Sequence, residues 1–400
     1  MGNVNKISLI VCALLLFFIS TISSAKTIEP ISINIVYLKQ NIKRPPALSN
    51  VIEQAPDSGY QGAQVGVADA NSTGKFLKQS FQVTYSEAET LDEMLAKLQS
   101  LYQQGERLFV VDVSSQALIK ADLWASDKSV LLFNVNDSSD LFRSQQCLSS
   151  VLHTTPSNAM RSDAIAQWLL SKRLNQVLLV SGAQEEDIEL SESFKRSAKR
   201  FGLELLEEKQ WTFDSDLRRS AQQEVPLFTQ TLKEYDVVYV ADKRKDFAEY
   251  LPFNTYLPRP VVGSAGLEAL SWHFVIEQWG AAQLQKRFYQ QAHRPMNELD
   301  FSAYLAVRSI GQAVHKQQTA DTRQIAGFIK SEQFELAAYK GRKLSYRSWN
   351  GQLRMPIALV QPHGLVSLSP QTGVLHPRTE LDTLGFDVEE THCVSKKELL

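Results

Sequence analysis

The chain has 400 residues, of which 44% are hydrophobic, and its 42 basic and 44 acidic residues give a formal net charge of −2. This length is enough for about two to three domains, and the apolar content argues against a disordered chain. The balanced charges exclude the strongly basic surface by which proteins bind nucleic acid or an anionic membrane.

An apolar run near the N-terminus predicts a secretory signal peptide. Lys6 precedes the apolar stretch Ile7–Ile19, and the small residues at 23–25 are typical of a cleavage site. A membrane-spanning helix needs about 20 apolar residues, and this run is shorter. We expect cleavage after Ala25, which assigns residues 1–25 to the signal peptide and the mature chain to the periplasm. An uncleaved anchor is the alternative.

Beyond this segment, short β-branched runs alternate with stretches of helical periodicity. Strands are predicted at Ile31–Leu38, Leu108–Val113, Val130–Val135, Val177–Ser181, Tyr235–Ala241 and Pro260–Gly263. Helices are predicted at Leu91–Gln104, Ala159–Lys172 and Glu192–Phe201, where apolar residues recur at helical spacing. Apolar strands separated by helices indicate an α/β protein with parallel sheets covered on both faces.

The alternation is too long for one sheet, and its character changes twice. Residues 142–156 are polar and irregular, a pair of helices is predicted over 267–291, and a helical stretch follows at Leu299–Lys330. A strand pair around Asn350 and Gly351 comes after all these helices. Asn-Gly favours a tight type I′ hairpin turn. These strands must rejoin a sheet formed earlier. We therefore expect two α/β lobes, with the chain passing between them more than once.

Several of these stretches resemble a known family. The sequence "ISINIVYL" is followed by "GYQGAQVGVADANSTG" at 59–74. Together they resemble the start of type I periplasmic solute-binding proteins, the branched-chain amino acid receptor group. The family pattern Gly-Ala-x-x-Ala-Val-Ala-Asp-Ile-Asn is matched at Gly62, Ala63, Val67, Ala68, Asp69 and Asn71.

A narrower subfamily is similar over nearly the whole mature chain. The stretches at 153–173, 264–288, 334–359 and 373–387 resemble substrate-binding proteins of the ABC transporter encoded with pyrroloquinoline quinone-dependent alcohol dehydrogenase systems. This resemblance implies a small-molecule ligand, an ABC permease as partner, and a quinoprotein dehydrogenase system as a further partner. It also implies that residues 26–143 and 267–335 form lobe 1, residues 144–266 and 336–370 form lobe 2, and residues 371–400 form a C-terminal tail.

A ligand cleft in this fold needs small polar groups in the loops at the carboxyl ends of parallel strands. The first lobe offers Ser114, Ser115, Asn134, Asn136 and Asp137. The second lobe is expected to offer Thr154, Thr155, Asp242, Lys243 and Ser264. For each position, the alternative is an ordinary polar residue in a turn.

Two departures from the family make a branched-chain amino acid a poor candidate ligand. Asn134, Asn136 and Asp137 replace the Ser and Thr pattern for α-amino acids, and "ADKRKD" at 241–246 replaces the aromatic and glycine-rich loop. The subfamily instead implies metabolites of alcohol oxidation. Pyrroloquinoline quinone itself is highly anionic and would need a cluster of Arg or Lys side chains. The basic run at 243–245 is a candidate for that cluster, and the alternative is that it faces solvent at the start of a helix.

No motif of an enzyme is present. The sequence has no Gly-x-Gly-x-x-Gly, no phosphate-binding loop and no Gly-x-Ser-x-Gly. The nearest approach, Gly263-Ser264-Ala265-Gly266, has the wrong spacing for a nucleophile elbow. The histidines are scattered, so neither zinc nor another metal is expected. We therefore expect no catalytic residues and no cofactor. The alternative to a transport receptor is an interaction protein that uses the same fold to bind a redox or assembly partner.

The mature chain keeps two cysteines, Cys147 and Cys393. An even pair in an exported protein is compatible with a disulfide that ties the tail to the middle of the chain. One buried thiol and one exposed thiol are the alternative.

Overall fold

The computed structural model of the chain describes residues 29–42, 54–212 and 220–393. The predicted signal peptide lies outside these residues. Within the described ranges, no helix is both long and apolar enough to cross a membrane.

The first lobe is built on a parallel sheet with the strand order β2-β1-β3-β4-β5. Its strands are β1 (Ile31–Gln40), β2 (Gln79–Ala88), β3 (Leu108–Asp112), β4 (Leu131–Asn134) and β5 (Val151–His153). The helices between them are α1 (Tyr60–Leu77), α2 (Leu91–Gln103), α3 (Ser115–Ala125) and α4 (Leu141–Ser144). All residues of β3 and β4 are buried, as expected for strands covered by helices on both faces.

The second lobe has its own parallel sheet, with the order β7-β6-β8-β9. Its strands are β6 (Gln176–Ser181), β7 (Glu204–Gln210), β8 (Val237–Ala241) and β9 (Val261–Gly263). Its helices are α5 (Asn158–Lys172), α6 (Glu185–Phe201) and α7 (Ala221–Phe228). The predicted class of two α/β lobes with parallel sheets is confirmed.

After the second sheet, the chain forms β10 (Glu268–Leu270), which lies in a separate sheet with two later strands. It then returns to the first lobe with α8 (Ala281–Ala292), α9 (Glu298–Gln317) and α10 (Thr322–Ile329). Helix α9 packs so closely on α1 that a Cβ at Gly62 would lie 1.9 Å from the carbonyl oxygen of Asp300. Only glycine fits this contact, which gives a physical reason for one residue of the family pattern.

The predicted pair of helices over 267–291 is wrong. The segment contains the strand β10 and one helix, α8, and His273 lies in the irregular stretch between them. Trp279 with φ 53° and Gly280 with φ 84° interrupt helical geometry just before α8. Apolar residues at helical spacing could not reveal this break.

The remaining strands are β11 (Leu336–Ala337), β12 (Lys343–Tyr346), β13 (Leu353–Arg354), β14 (Ile357–Gln361) and β15 (Gly364–Ser369). β12 and β13 pair antiparallel, so the predicted hairpin is present. The tight type I′ turn is wrong, because the reversal spans 347–352 and only Gly351 has a positive φ, 68°. The Asn350 side chain instead donates to the carbonyl oxygen of Arg143 at 3.0 Å.

The C-terminal segment 380–393 crosses both lobes. The Arg347 guanidinium donates to Asp382 at 2.8 Å, and Arg196 of α6 donates to Glu390 at 2.9 Å. At its end, a disulfide joins Cys393 to Cys147, with their Cα atoms 5.3 Å apart. These residues of the C-terminal tail are therefore held to the second lobe by ion pairs and to residue 147 by a covalent bond.

Candidate ligand-binding site

The residues that the sequence singles out lie in loops at the carboxyl ends of the sheet strands. The loops after β3, β4 and β5 belong to the first sheet, and those after β8 and β9 to the second. The Lys243 ammonium reaches across and donates to the hydroxyl of Ser138 at 3.0 Å. The two sets of loops therefore meet, at a serine that was not among the predicted residues.

Asn134 organises the loop after β4. It is 1% exposed, and its Oδ1 accepts hydrogen bonds from the backbone amides of Asn136 at 3.2 Å and Asp137 at 2.9 Å. Its Nδ2 donates to the carbonyl oxygen of Asp137 at 2.8 Å and lies 2.9 Å from Nδ1 of His153. These bonds use its oxygen and both N–H groups to hold the loop.

Asn136 and Asp137 also bond within the first lobe. The Asn136 amide donates to Asp112 at 2.8 Å. Asp137 accepts from the Ser115 hydroxyl and from the backbone amide of Ser139, the latter at 2.8 Å. The structure thus brings Ser115, Asn136 and Asp137 into one loop network.

Ser114 caps helix α3 and donates to Oε1 of Gln40 at 2.9 Å. Thr154 is buried and donates to the carbonyl oxygen of Asn134 at 3.3 Å. The carbonyl oxygen of Thr155 accepts from Gln352 at 3.1 Å. The expectation that both threonines belong to the second lobe is wrong, because they follow β5, which pairs with β4 in the first sheet.

In the second lobe, Asp242 and Ser264 are paired. The Ser264 hydroxyl accepts from the backbone amide of Asp242 at 2.9 Å. One Asp242 oxygen accepts from the amides of Phe247 and Ala248 at 2.7 and 2.8 Å. Its other oxygen, Oδ1, is buried without a partner among the described residues. Burial raises the pKa of this carboxyl above its ordinary value.

Beside these loops lies a cavity of about 660 Å³ that both lobes bound. One wall is the segment 139–145 that follows β4. The other is the start of α5 with residues 185–196 of α6, and three residues of the tail line a further side. Its lining residues are Ser139, Asp140, Leu141, Ser144, Gln145, Asn158, Ala183, Glu185, Ile188, Glu189, Glu192, Ser193, Arg196, Phe386, Glu390 and His392. None of the ten predicted residues, all within the described part of the chain, lines it.

Reasoning from the sequence missed this cavity, although parts of its wall were visible. Asn158 lies in a stretch that carries the family resemblance, and the acidic run Glu185–Glu189 opens a helix. Acidic residues are common in the first turn of any helix because they interact favourably with its dipole. Nothing local indicated that this turn would face residues 139–145.

A partly buried ionic cluster lies where the chain returns from the second lobe. Arg161 of α5 donates to Glu298 of α9 at 2.9 Å, and the Ser271 hydroxyl donates to the same carboxylate at 2.9 Å. Lys340 donates to the carbonyl oxygen of Ser271. Burial lowers the pKa of Lys340 to about 7, with Glu298 opposing that shift. These contacts connect helices of the two lobes beside the crossover.

Within residues 29–42, 54–212 and 220–393, no group of three or more His, Cys, Asp or Glu side chains is placed to hold a metal ion.

No protein-family model matches the chain, and no curated protein matches it in sequence. Solved structures are nevertheless similar in fold. A periplasmic binding protein from Burkholderia mallei aligns with a TM-score of 0.66 and 14% identity, covering 90% of this chain and 98% of the other.

Two further neighbours come from transport systems. A branched-chain amino acid ABC transporter periplasmic ligand-binding protein from Burkholderia xenovorans LB400 has a TM-score of 0.68 and 14% identity, covering 84% of this chain and 95% of its own. An ABC transporter solute-binding protein from R. palustris, in complex with benzoate, has a TM-score of 0.61 and 13% identity, with coverage of 84% and 95%. At these identities, the similarity establishes the two-lobed type I fold.

Proposed function

We propose that this chain is the periplasmic substrate-binding component of an ABC transporter. It captures a small polar solute between its two lobes and delivers it to a permease. The observation that carries the proposal is the cavity of about 660 Å³ bounded by both lobes, because ligands of this fold bind between lobes that close around a hinge. The solved neighbours that serve ABC transporters support it.

The finer parts of the proposal rest on the sequence. The signal peptide predicted at 1–25 supports export, and the resemblance to proteins encoded with pyrroloquinoline quinone-dependent alcohol dehydrogenases supports a link to quinoprotein alcohol oxidation. We also propose the predicted division of the chain, with lobe 1 at 26–143 and 267–335, lobe 2 at 144–266 and 336–370, and the C-terminal tail at 371–400. Two corrections apply: β5 and the threonines that follow it belong to lobe 1, and β10 lies with β14 in lobe 2.

A thermal-shift screen of the mature chain tests the transport function. The panel contains amino acids, benzoate-type carboxylates, short alcohols and aldehydes, amines, pyrroloquinoline quinone and lanthanide ions. A true ligand at a hundred times its dissociation constant stabilises the protein by about 2.7 kcal/mol. We expect one chemical class to raise the melting temperature and to make the protein more compact in small-angle X-ray scattering. Stabilisation without compaction would contradict capture by closure.

A second candidate is an interaction protein with the same fold. It is favoured by one observation, that most of the predicted polar residues are already bonded within the protein and that Lys243 joins the two sets of loops. This candidate predicts no ligand in the screen, and a partner captured from periplasmic extract that protects the loop faces from hydrogen exchange. Selective binding of a solute with compaction would count against it.

A further inference from the structure

The inter-lobe cavity carries an excess of negative charge. Its lining carboxylates are Asp140, Glu185, Glu189, Glu192 and Glu390. Arg196 is the one lysine or arginine among the described lining residues, and it already forms ion pairs within the protein. Its guanidinium pairs with the buried Asp163 at 3.1 Å and with Glu390 at 2.9 Å. Glu192 pairs with Lys195 at 2.9 Å. Among the described residues, Asp140, Glu185 and Glu189 have no ion pair, so the excess of charge rests on these three.

The protonation behaviour of Glu189 agrees with this excess, whereas that of Asp140 reflects burial. Burial raises the pKa of Asp140, and the charges of Arg196 and Arg143 oppose that shift. Partial burial raises the pKa of Glu189, and the charges of Asp137, Asp140 and Glu185 raise it further. Like charges disfavour each other's ionised form, so a cation placed among these groups would be attracted by all of them.

An open hydrogen-bond acceptor lies in the same wall. Asn158 is 4% exposed, and its Oδ1 has no hydrogen-bond partner among the described residues. It stands at the start of α5, where the next amide, of Ala159, donates to Asp140 at 2.8 Å. A buried acceptor without a partner is costly, so such groups are normally satisfied by protein, water or ligand. A ligand in the cavity that carries an N–H or O–H donor would satisfy this atom.

The lining also offers apolar surface. Leu141 on the first lobe and Ile188 on α6 are 40% and 46% exposed, and Phe386 of the tail lines the same space. Such exposed apolar groups beside carboxylates suit an alkyl chain that ends in a charged group.

We propose that this cavity binds a small organic cation with N–H donors and a short alkyl chain, such as a primary aliphatic diamine. The proposal rests on the proposed function, because the cation is taken to be the solute that the two lobes capture. The carboxylates supply the charge, Asn158 accepts a hydrogen bond from the ammonium group, and Leu141, Ile188 and Phe386 contact the alkyl chain.

The test is isothermal titration of the purified, disulfide-bonded chain with 1,4-diaminobutane. Matched probes are 1,4-butanediol, which is neutral, succinate, which is anionic, and tetramethylammonium, which is a cation without N–H groups. Since a hydrogen bond to a charged group contributes about 1.5–3 kcal/mol, each probe should bind at least ~10-fold more weakly than the diamine.

Variants locate the binding. Glu189→Gln keeps the shape and removes one charge, and Asn158→Ala removes the open acceptor. Each should weaken diamine binding by ~10-fold. Glu186→Gln is the matched control, because Glu186 lies on the same helix but does not line the cavity. It should change the affinity by less than ~2-fold, since solvent screens a charge outside the site.

The outcomes separate this proposal from the transport function. Diamine binding that falls equally in Glu186→Gln and Glu189→Gln would overturn the proposal, since it would show diffuse electrostatic attraction. A different solute that binds and compacts the protein without sensitivity to Glu189→Gln would overturn it and leave the transport function standing. Absence of binding by every compound in the screen would overturn both.

Discussion

Two polar regions meet at the boundary between the lobes, and they differ in how their hydrogen bonds are used. In the loop after β4, the side-chain oxygen and both amide N–H groups of Asn134 have partners inside the first lobe. In the neighbouring cavity, Asn158 keeps an open acceptor and Glu189 is surrounded by like charges. The two asparagines are both buried, but Asn134 is fully hydrogen-bonded within the protein and Asn158 is not.

The difference shows that a polar residue at the end of a strand is not by itself a binding group. Where its bonds are complete, it stabilises the backbone of its own loop, and a ligand would have to break those bonds. Where an acceptor is open, a ligand gains a bond without breaking one. Asn134 belongs to the first kind and Asn158 to the second.

The largest effect is expected where the tail is anchored beside the cavity. Arg347 and Asp382 are 1% and 0% exposed, so Asp382→Ala would leave a buried guanidinium without its carboxylate. Removing one partner of a buried ion pair costs about 3–5 kcal/mol. We expect a loss of this size in the free energy of unfolding, measured with guanidinium chloride.

Its control is the exposed pair of Arg342 and Glu380 in the same region. Glu380→Ala should cost less than about 1 kcal/mol, because exposed ion pairs contribute little. Equal losses in Asp382→Ala and Glu380→Ala would contradict the role of the buried pair as the anchor.

A smaller effect is expected in the saturated loop. Asn134→Ala leaves the backbone groups of Asn136 and Asp137 without partners, and an unsatisfied buried group costs about 1–3 kcal/mol. Thermal and chemical unfolding should both show this loss. Ser115→Ala, at an exposed position of the same network, should stay within about 0.5 kcal/mol. An Asn134→Ala protein as stable as the wild type would remove the distinction between the two regions.

The smallest effect should have the opposite sign. The pKa of Glu189 is raised above its ordinary value of 4.5, so the folded state binds more protons than the unfolded state as the pH rises through that range. Ionised Glu189 therefore costs stability above its folded pKa. At pH 7, Glu189→Gln should stabilise the protein by less than about 1 kcal/mol, because solvent screens this partly exposed group.

The pH dependence provides the check on this small gain. Below the ordinary pKa of a glutamate, the carboxyl is protonated in both states, and the difference between variant and wild type should vanish. Unfolding curves at several pH values would measure this. A destabilised Glu189→Gln protein at pH 7 would mean that the carboxylate is bonded in the way that Asn134 is.

The sequence predicted the central strands because burial on both faces makes them continuous apolar runs, as in Leu108–Asp112 and Val237–Ala241. It missed the edge strands β2 and β7, whose exposed faces carry polar and charged residues. Hydrophobic periodicity is weak in such strands. The turn at Asn350 was mispredicted because a distant contact with Arg143 outweighed local turn preference.

The candidate site was harder to predict than the fold for a related reason. Polar residues after strands can be recognised in one sequence, but whether their bonds are complete depends on partners far away in the chain. The open acceptor of Asn158 is a property of the wall formed by 139–145, α6 and the tail. No local pattern encodes that assembly.

The bond between Cys147 and Cys393, 246 positions apart, makes a covalent ring that contains all strands of the second sheet. A single backbone cut inside this ring would open it without releasing a fragment, whereas a cut before residue 147 would divide the molecule. The ring also restricts the conformations open to the unfolded second lobe. Residues 147–393, which include α6 of the cavity wall, thus form a covalently closed loop. The strands and helices of the first lobe that precede residue 147 remain a linear chain.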